Sequence, residues 1–285
     1  MISPPPGPLS AEMVVRNINC LPQPSGIISD LLRCIDDENA SAAELAEVIS
    51  RDQALVARLL RIANSPFYGL RGQVESIPNA ISILGLRAVH GLATASAFCG
   101  TFAAISSSEF SIATYSRHSL AGALCSRALA RRMRIGEGGA FVAGLLHDIG
   151  RLMFACAFPA HLAAASGYRQ EHGGAMHEAE LAVAGMDHGQ IGGILGERWH
   201  FPPAICNAIA NHHRPDDCGS GVLAGVVHLG DALAHAMDLA EDSLDAVPSI
   251  SEAAWRKADL AWRDSQEIFA EVEHEFAALS KVLLN

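Results

Sequence analysis

The sequence predicts an all-α protein, and three observations carry that prediction. Apolar residues recur at helical rather than alternating spacing in almost every segment. Capping signatures stand where several of these runs begin. No pair of alternating β-branched segments flanks an Asn-Gly type turn.

Taken in order, Ser41-Ala-Ala-Glu44 is a capping box that opens a helix through Ile49. Gln53 to Ala63 continues with Leu55, Leu59 and Ile62 on one face. Asn64-Ser-Pro-Phe-Tyr-Gly69 is a breaker, and Ser76-Ile-Pro78 starts the next helix with proline in the first turn. Helices are then expected over 81–104, 112–133, 139–156, 187–199, 203–211 and 222–237. A composition shift at 106–109 suggests a boundary between two helical lobes, and a looser stretch at 242–251 precedes a long amphipathic terminal helix. There Trp255, Trp262, Phe269, Phe276 and Leu283 recur every seven residues. Such a stripe packs onto the chain's own body, with a homodimer seam as the alternative. The expected division is a tail over 1–20, an N-terminal helical lobe over 21–107, a second lobe over 108–240 and a C-terminal helical extension over 241–285.

Composition narrows the function classes. The chain has 285 residues, of which 50% are hydrophobic, enough for one large core or two modest ones. Charged residues make up 18%, too few for a disordered chain and too many for a membrane bundle. Twenty basic against 31 acidic residues give a net charge of −11, which argues against nucleic acid as a partner. The longest uncharged stretch, 88–108, is rich in Gly, Ser and Thr and reads as a buried helix rather than a membrane span. Met1 to Leu9 lacks the charged and apolar regions of a secretory signal. Seven cysteines include no Cys-x-x-Cys pair, which suggests reduced thiols acting as small hydrophobes in a cytoplasmic protein.

The oddity is histidine. Thirteen are present, about twice ordinary usage for this length. Five of them form an ordered series with two aspartates: His118, His147-Asp148, His188, His212-His213 and Asp231. An adjacent His-Asp pair inside an apolar helix is hard to explain as core, because a buried unpaired carboxylate costs several kcal/mol (roughly, on the buried-charge penalty). Imidazole with carboxylate suits Fe, Mn or Zn, in a mononuclear or dinuclear site. His228, Asp231 and His235 fall on one side of a helix, so His228 and His235 are candidates for orienting a ligand. His90, His161, His172, His177, His200 and His274 read as structural or solvated. Arg127, Arg131, Arg132 and Arg134 read as the exposed end of a helix, with a docking patch for an acidic partner as the alternative.

The ordered series resembles the HD superfamily of metal-dependent phosphohydrolases. Three further segments narrow the likeness: Ile49-Ser-Arg-Asp-Gln-Ala-Leu55, Leu59-Leu-Arg-Ile-Ala-Asn-Ser-Pro-Phe-Tyr-Gly69 and Ala80-Ile-Ser-Ile-Leu-Gly-Leu86. With Glu197-Arg-Trp-His-Phe-Pro-Pro203 and Asn211-His-His-Arg-Pro215, they resemble HDOD domains, the HD-related output domains of bacterial signalling proteins. The resemblance covers roughly 21–215. It implies an HD-like helical bundle with an additional N-terminal lobe, and the series above as metal ligands. It also implies a regulatory module that works through a signalling partner or a small nucleotide-like ligand. The alternative is an active metal-dependent phosphohydrolase, with Arg151 meeting phosphate. Arg-Pro-Asp-Asp follows His212-His213 where the cyclic-dinucleotide phosphodiesterase branch has Gly-Tyr-Pro, Arg151 stands where that branch has Lys, and Thr114 stands where some members have a carboxylate. Those departures argue against cyclic-dinucleotide hydrolysis.

Overall fold

The computed structural model of the chain describes residues 6–34, 41–65, 68, 72–103, 105, 110–241 and 246–284. Among them sixteen α-helices and one 3-10 turn form the regular structure, with no strand. The boundary expected at 106–109 lies outside the described residues.

The first helices build around one buried helix. They are α1 (Ala11–Asn17), a 3-10 turn (Ile18–Cys20), α2 (Gly26–Arg33), α3 (Ala42–Ser50), α4 (Gln53–Ala63), α5 (Ile77–Leu84) and α6 (Leu86–Phe102). The Ser41 hydroxyl accepts from the Glu44 N–H at 3.1 Å, and the Glu44 carboxylate accepts from the Ser41 N–H at 2.8 Å, as the capping box predicts. Helices α2 to α5 each pack on α6. The single helix expected over 81–104 is broken at Gly85, whose φ of 88° lies in the left-handed region that glycine adopts without strain. His90 on α6 is buried and its Nε2 meets the Leu31 carbonyl at 2.7 Å, tying α6 to α2 as a structural histidine. Residues 11–20, expected as tail, are instead helical and docked, because Val14 is fully buried and α1 packs on a later helix.

The rest is organised by α7 (Ile112–Met133), which packs on α8 (Glu137–Leu146) and α14 (Gly221–Ala236). Between those come α9 (Ile149–Ala157), α10 (Pro159–His172), α11 (Met176–Ala184), α12 (His188–Arg198) and α13 (Pro203–Asn211). The helix expected over 139–156 breaks at His147-Asp148, where nothing in the apolar pattern marks a stop. Helices α10 and α11 were not expected from periodicity; they form a hairpin turned at Gly173 and Gly174, both at positive φ. The stretch 137–157 is apolar enough to cross a membrane by composition, but 83% of its apolar 18-residue window is buried within the protein, as for a core helix. No disulfide links the seven cysteines; Cys125 and Cys206 are buried and Cys156 packs against the core, so the small-hydrophobe reading fits these three.

The terminal helix is two helices, α15 (Glu252–Ala258) and α16 (Trp262–Leu283). Asp259 takes a left-handed φ of 47° between them, a conformation aspartate tolerates better than most residues. Trp255 and Trp262 are therefore exposed (38% and 74%), so the seven-residue stripe is not one seam. Helix α16 buries Ile268, Val272, Phe276 and Leu279 and packs on α7, α4 and α6 of its own chain. The arginine run of α7 meets it. Arg127 pairs with Glu275, Arg131 with Glu271 at 2.6 Å, and Arg132 with Asp264 at 3.2 Å and Glu267 at 2.9 Å. Arg127, Arg131 and Arg132 thus meet acids of the chain's own α16, and Arg131 also meets Glu137 of α8 at 2.9 Å, so these three are not simply an exposed helix end. The Arg117 guanidinium lies 5.2 Å above the Phe276 ring. Phe276→Ala is expected to lower unfolding stability by about 3–5 kcal/mol, the cost of truncating a buried aromatic. Urea denaturation checks this, and a loss below about 1 kcal/mol would mean that α16 contributes little to the core.

Candidate metal centre

Five helix positions deliver the ordered series to one place. His118 comes from the middle of α7, and Asp231 with His235 from α14. His147 and Asp148 sit at the break between α8 and α9, His188 opens α12, and His212-His213 follow α13. The break at 147–148 lets two adjacent side chains point into one cluster, which a continuous helix would spread around its circumference.

Asp148 is the hub. Its Oδ1 lies 2.9 Å from His188 Nε2, 3.5 Å from His147 Nε2 and 3.9 Å from His212 Nε2. Its Oδ2 lies 3.7 Å from His118 Nε2 and accepts from Arg151 at 3.0 Å. Asp231 Oδ1 lies 3.0 Å from His118 Nε2, 3.4 Å from His147 Nε2 and 3.1 Å from His235 Nε2. His213 Nε2 lies 2.7 Å from His188 Nε2. The candidate ligand atoms fall into three groups, the first two sharing His118: His118, His147 and Asp148; His118, Asp231 and His235; and His188, His212 and His213, the atoms of each group lying within 4.8 Å of one another. His235, expected to orient a ligand, therefore stands among the ligand atoms itself. His228 accepts from the Ser251 N–H at 2.9 Å and donates through Nδ1 to the His212 backbone carbonyl at 2.8 Å.

The far side of each ring fixes what the near side offers. His147 Nδ1 meets the Gly144 carbonyl at 2.7 Å and His212 Nδ1 meets the Ile209 carbonyl at 2.7 Å, so both Nδ1 atoms are donors. The Nε2 lone pair of His212 then faces Asp148 Oδ1 at 3.9 Å, acceptor against acceptor. His212 Nε2 is fully buried with no hydrogen-bond partner. A cation resolves that conflict, so the donor set fits a transition metal bound by imidazole and carboxylate.

Charge follows the same layout. Burial works against ionising Asp148, but His147, His188 and Arg151 around it hold its pKa well below the usual carboxylate range. Burial likewise opposes charge on Asp231, and His235, His118 and His147 reverse it. His188 is pushed well above its ordinary value, because Glu180 and Asp148 on either side outweigh its burial. His212 and His213 are pushed down, first by burial and then by the neighbouring histidines.

Sequence reasoning missed two participants. Glu180 of α11 is buried, at 1% exposure, and accepts from His188 Nδ1 at 2.6 Å and from the His188 N–H at 2.8 Å. His177, read as structural or solvated, stacks on His213 with centroids 3.8 Å apart and planes 15° apart. No local signal marks either one, since both lie on a segment whose helix was itself not expected. A pocket of about 270 Å³ opens above the cluster, reaching His118, Asp148, His188, His213, Asp231 and His235. Arg151 and Arg169 stand in its wall with Ser111, Thr114 and Ser166.

The model of the HDOD domain family matches residues 21–215 of this chain. The chain belongs to the HDOD domain family. Its fold is shared with an HDOD domain protein of unknown function from Geobacter sulfurreducens, at 22% identity and a TM-score of 0.81, over 96% of this chain and 98% of that one. A candidate phosphohydrolase from Shewanella amazonensis aligns at 25% identity and a TM-score of 0.72, over 95% of this chain and 98% of that one. An uncharacterized protein of Treponema pallidum is 24% identical over 204 residues, covering 71% of this chain. That match spans 39% of the relative's length, so this HDOD chain is similar to only part of a longer protein. Asp231 and His235 lie beyond residue 215, where the family match ends, and α14 brings them to the cluster.

Proposed function

We propose that the chain is a bacterial regulatory output module whose HD-like half holds two transition-metal ions and binds a small phosphorylated ligand above them. The observation that carries this reading is the convergence of His118, His147, His188, His212, His213 and Asp231 around Asp148 at the floor of an open pocket. His118, His147 and Asp231 would hold one ion, His188, His212 and His213 the other, and Asp148 would be shared. His235 would join the first group. Iron, manganese and zinc all suit these ligands. When bound, such ions supply Lewis acidity and a water of lowered pKa.

The chain's own residues supply recognition. Arg151 pairs with Asp148 at 3.0 Å, stands in the pocket wall, and would bring its positive charge to a phosphate entering the pocket. At about 270 Å³ the pocket lies just below the range of about 300–1,000 Å³ common for ligand sites, which suits a small phosphoester rather than a dinucleotide. The absence of Gly-Tyr-Pro agrees: Arg214, next after His213, pairs instead with buried Asp187 at 2.5 Å. A second reading, hydrolysis of that phosphoester, is favoured by the completeness of the ligand set beneath a solvent-open pocket, and by the likeness to the Shewanella candidate phosphohydrolase. The partner, the signalling role and a cytoplasmic location belong to the proposal, as does a homodimer through α16.

Elemental analysis of protein purified without chelator, paired with hydrolysis assays on generic phosphodiesters and nucleotides, tests both readings. Bound Fe, Mn or Zn without turnover supports the regulatory module. Metal with turnover lost on chelation supports the hydrolase, and no metal under any loading condition contradicts both. Loading is also expected to release protons. His188 keeps its proton through neutral pH when flanked by Glu180 and Asp148, and an ion on Nε2 must displace it. Affinity therefore rises with pH until His188 is neutral. Calorimetry in buffers of different ionisation enthalpy measures the release, and a value of zero would contradict a protonated His188.

A further inference from the structure

We infer that α11 sets the geometry of one half of the cluster, with Glu180 and His177 as positioning residues for His188 and His213. The inference rests on the two-ion reading above and goes beyond it. Neither residue belongs to the ordered His and Asp series, and the two stand at i and i+3, on one face of α11.

Glu180 binds His188 twice through one oxygen, at the ring Nδ1 (2.6 Å) and at the backbone N–H (2.8 Å). The ring contact makes Nδ1 the donor and leaves Nε2 facing Asp148 and His213. The backbone contact occupies one of the N–H groups left open at the start of α12. Ring and helix start are thereby fixed relative to one carboxylate, which is itself held on a different helix. The charge on Glu180 also strengthens His188 as a donor to a cation, as carboxylates behind metal-bound histidines do. His177 acts on the other member of the pair. Its ring lies nearly parallel to His213 at 3.8 Å, and it also lines the pocket wall. The other half of the cluster has no such support from α11. His147 leans on the Gly144 carbonyl of its own chain segment instead.

Mn²⁺ titration of the full-length wild-type chain and of Glu180→Gln, His177→Ala and His177→Phe tests this, with thermal unfolding of each metal-free form alongside. Wild type is expected to take up two ions. Glu180→Gln is expected to bind one ion as wild type does and the other about 10–100-fold more weakly. His177→Ala should show the same selective loss to a smaller degree, and His177→Phe, which keeps a flat ring against His213, should restore it. If Glu180→Gln does not fold, the half-buried His177 pair decides alone. Unchanged binding of both ions in Glu180→Gln and His177→Ala overturns the inference while leaving the two-ion reading intact. Equal weakening of both ions also overturns it, since that is what a merely structural role would produce. A wild-type chain that takes up no ion overturns both.

Discussion

Asp148→Asn is expected to abolish binding of both metal ions, whereas His213→Ala removes only one. Among the described residues, Asp148 is the side chain whose two oxygens face both halves of the cluster, at 2.9 Å from His188 and 3.7 Å from His118. Its charge is held by His147, His188 and Arg151 against the cost of burial. Asparagine keeps the shape and the acceptor toward Arg151 but places an uncharged group between the four imidazoles of His118, His147, His188 and His212. The loss for each ion should exceed the roughly 10–100-fold typical of removing a group behind a ligand. His213 touches only His188, His212 and His177 within the cluster, so its loss leaves the group around Asp231 intact. Metal stoichiometry by mass spectrometry under native conditions reads both variants. One ion retained in Asp148→Asn would show that Asp148 is not shared.

Gly150→Ala is expected to unfold the chain far more easily than its one added methyl suggests. Helices α9 and α12 touch at this residue. A Cβ there would collide with the His188 carbonyl oxygen and come within 2.9 Å of the Gly192 nitrogen, both of them backbone atoms that cannot rotate away. Overpacking typically costs about 1–3 kcal/mol, and a backbone clash belongs at or above the upper end. For a chain of this size that is a fall of roughly 6–12 °C in Tm. The variant should also weaken the ion held by His188, because the only relief is to push α12 and its first residue outward. Thermal unfolding with metal titration checks both effects. An unchanged Tm would mean that α9 and α12 do not approach as closely as described.

The two variants also mark what sequence could and could not disclose. The convergence of the His and Asp series was legible because each candidate ligand carries its chemistry in its residue type, and the order is readable without knowledge of the fold. The all-α class was legible because apolar spacing and caps such as Ser41 and Glu44 act within a few residues. The break at His147-Asp148 was not, because it falls inside an unbroken apolar run and is imposed by packing against α7 and α12. Glu180 was invisible for a related reason: a lone glutamate on a short amphipathic segment looks solvated until the helix that buries it is placed. The arginines of α7 and the acids Asp264, Glu267, Glu271 and Glu275 of α16 are each plain in sequence. Their pairing across more than a hundred residues is a property of the fold alone.

Anomalous diffraction from crystals grown with added manganese or zinc tests the central claim most directly. Two peaks are expected, one among His118, His147, Asp148 and Asp231, and one among Asp148, His188, His212 and His213. No peak at either position, at metal concentrations that saturate binding to comparable His and Asp sites, would contradict a metal centre in this chain.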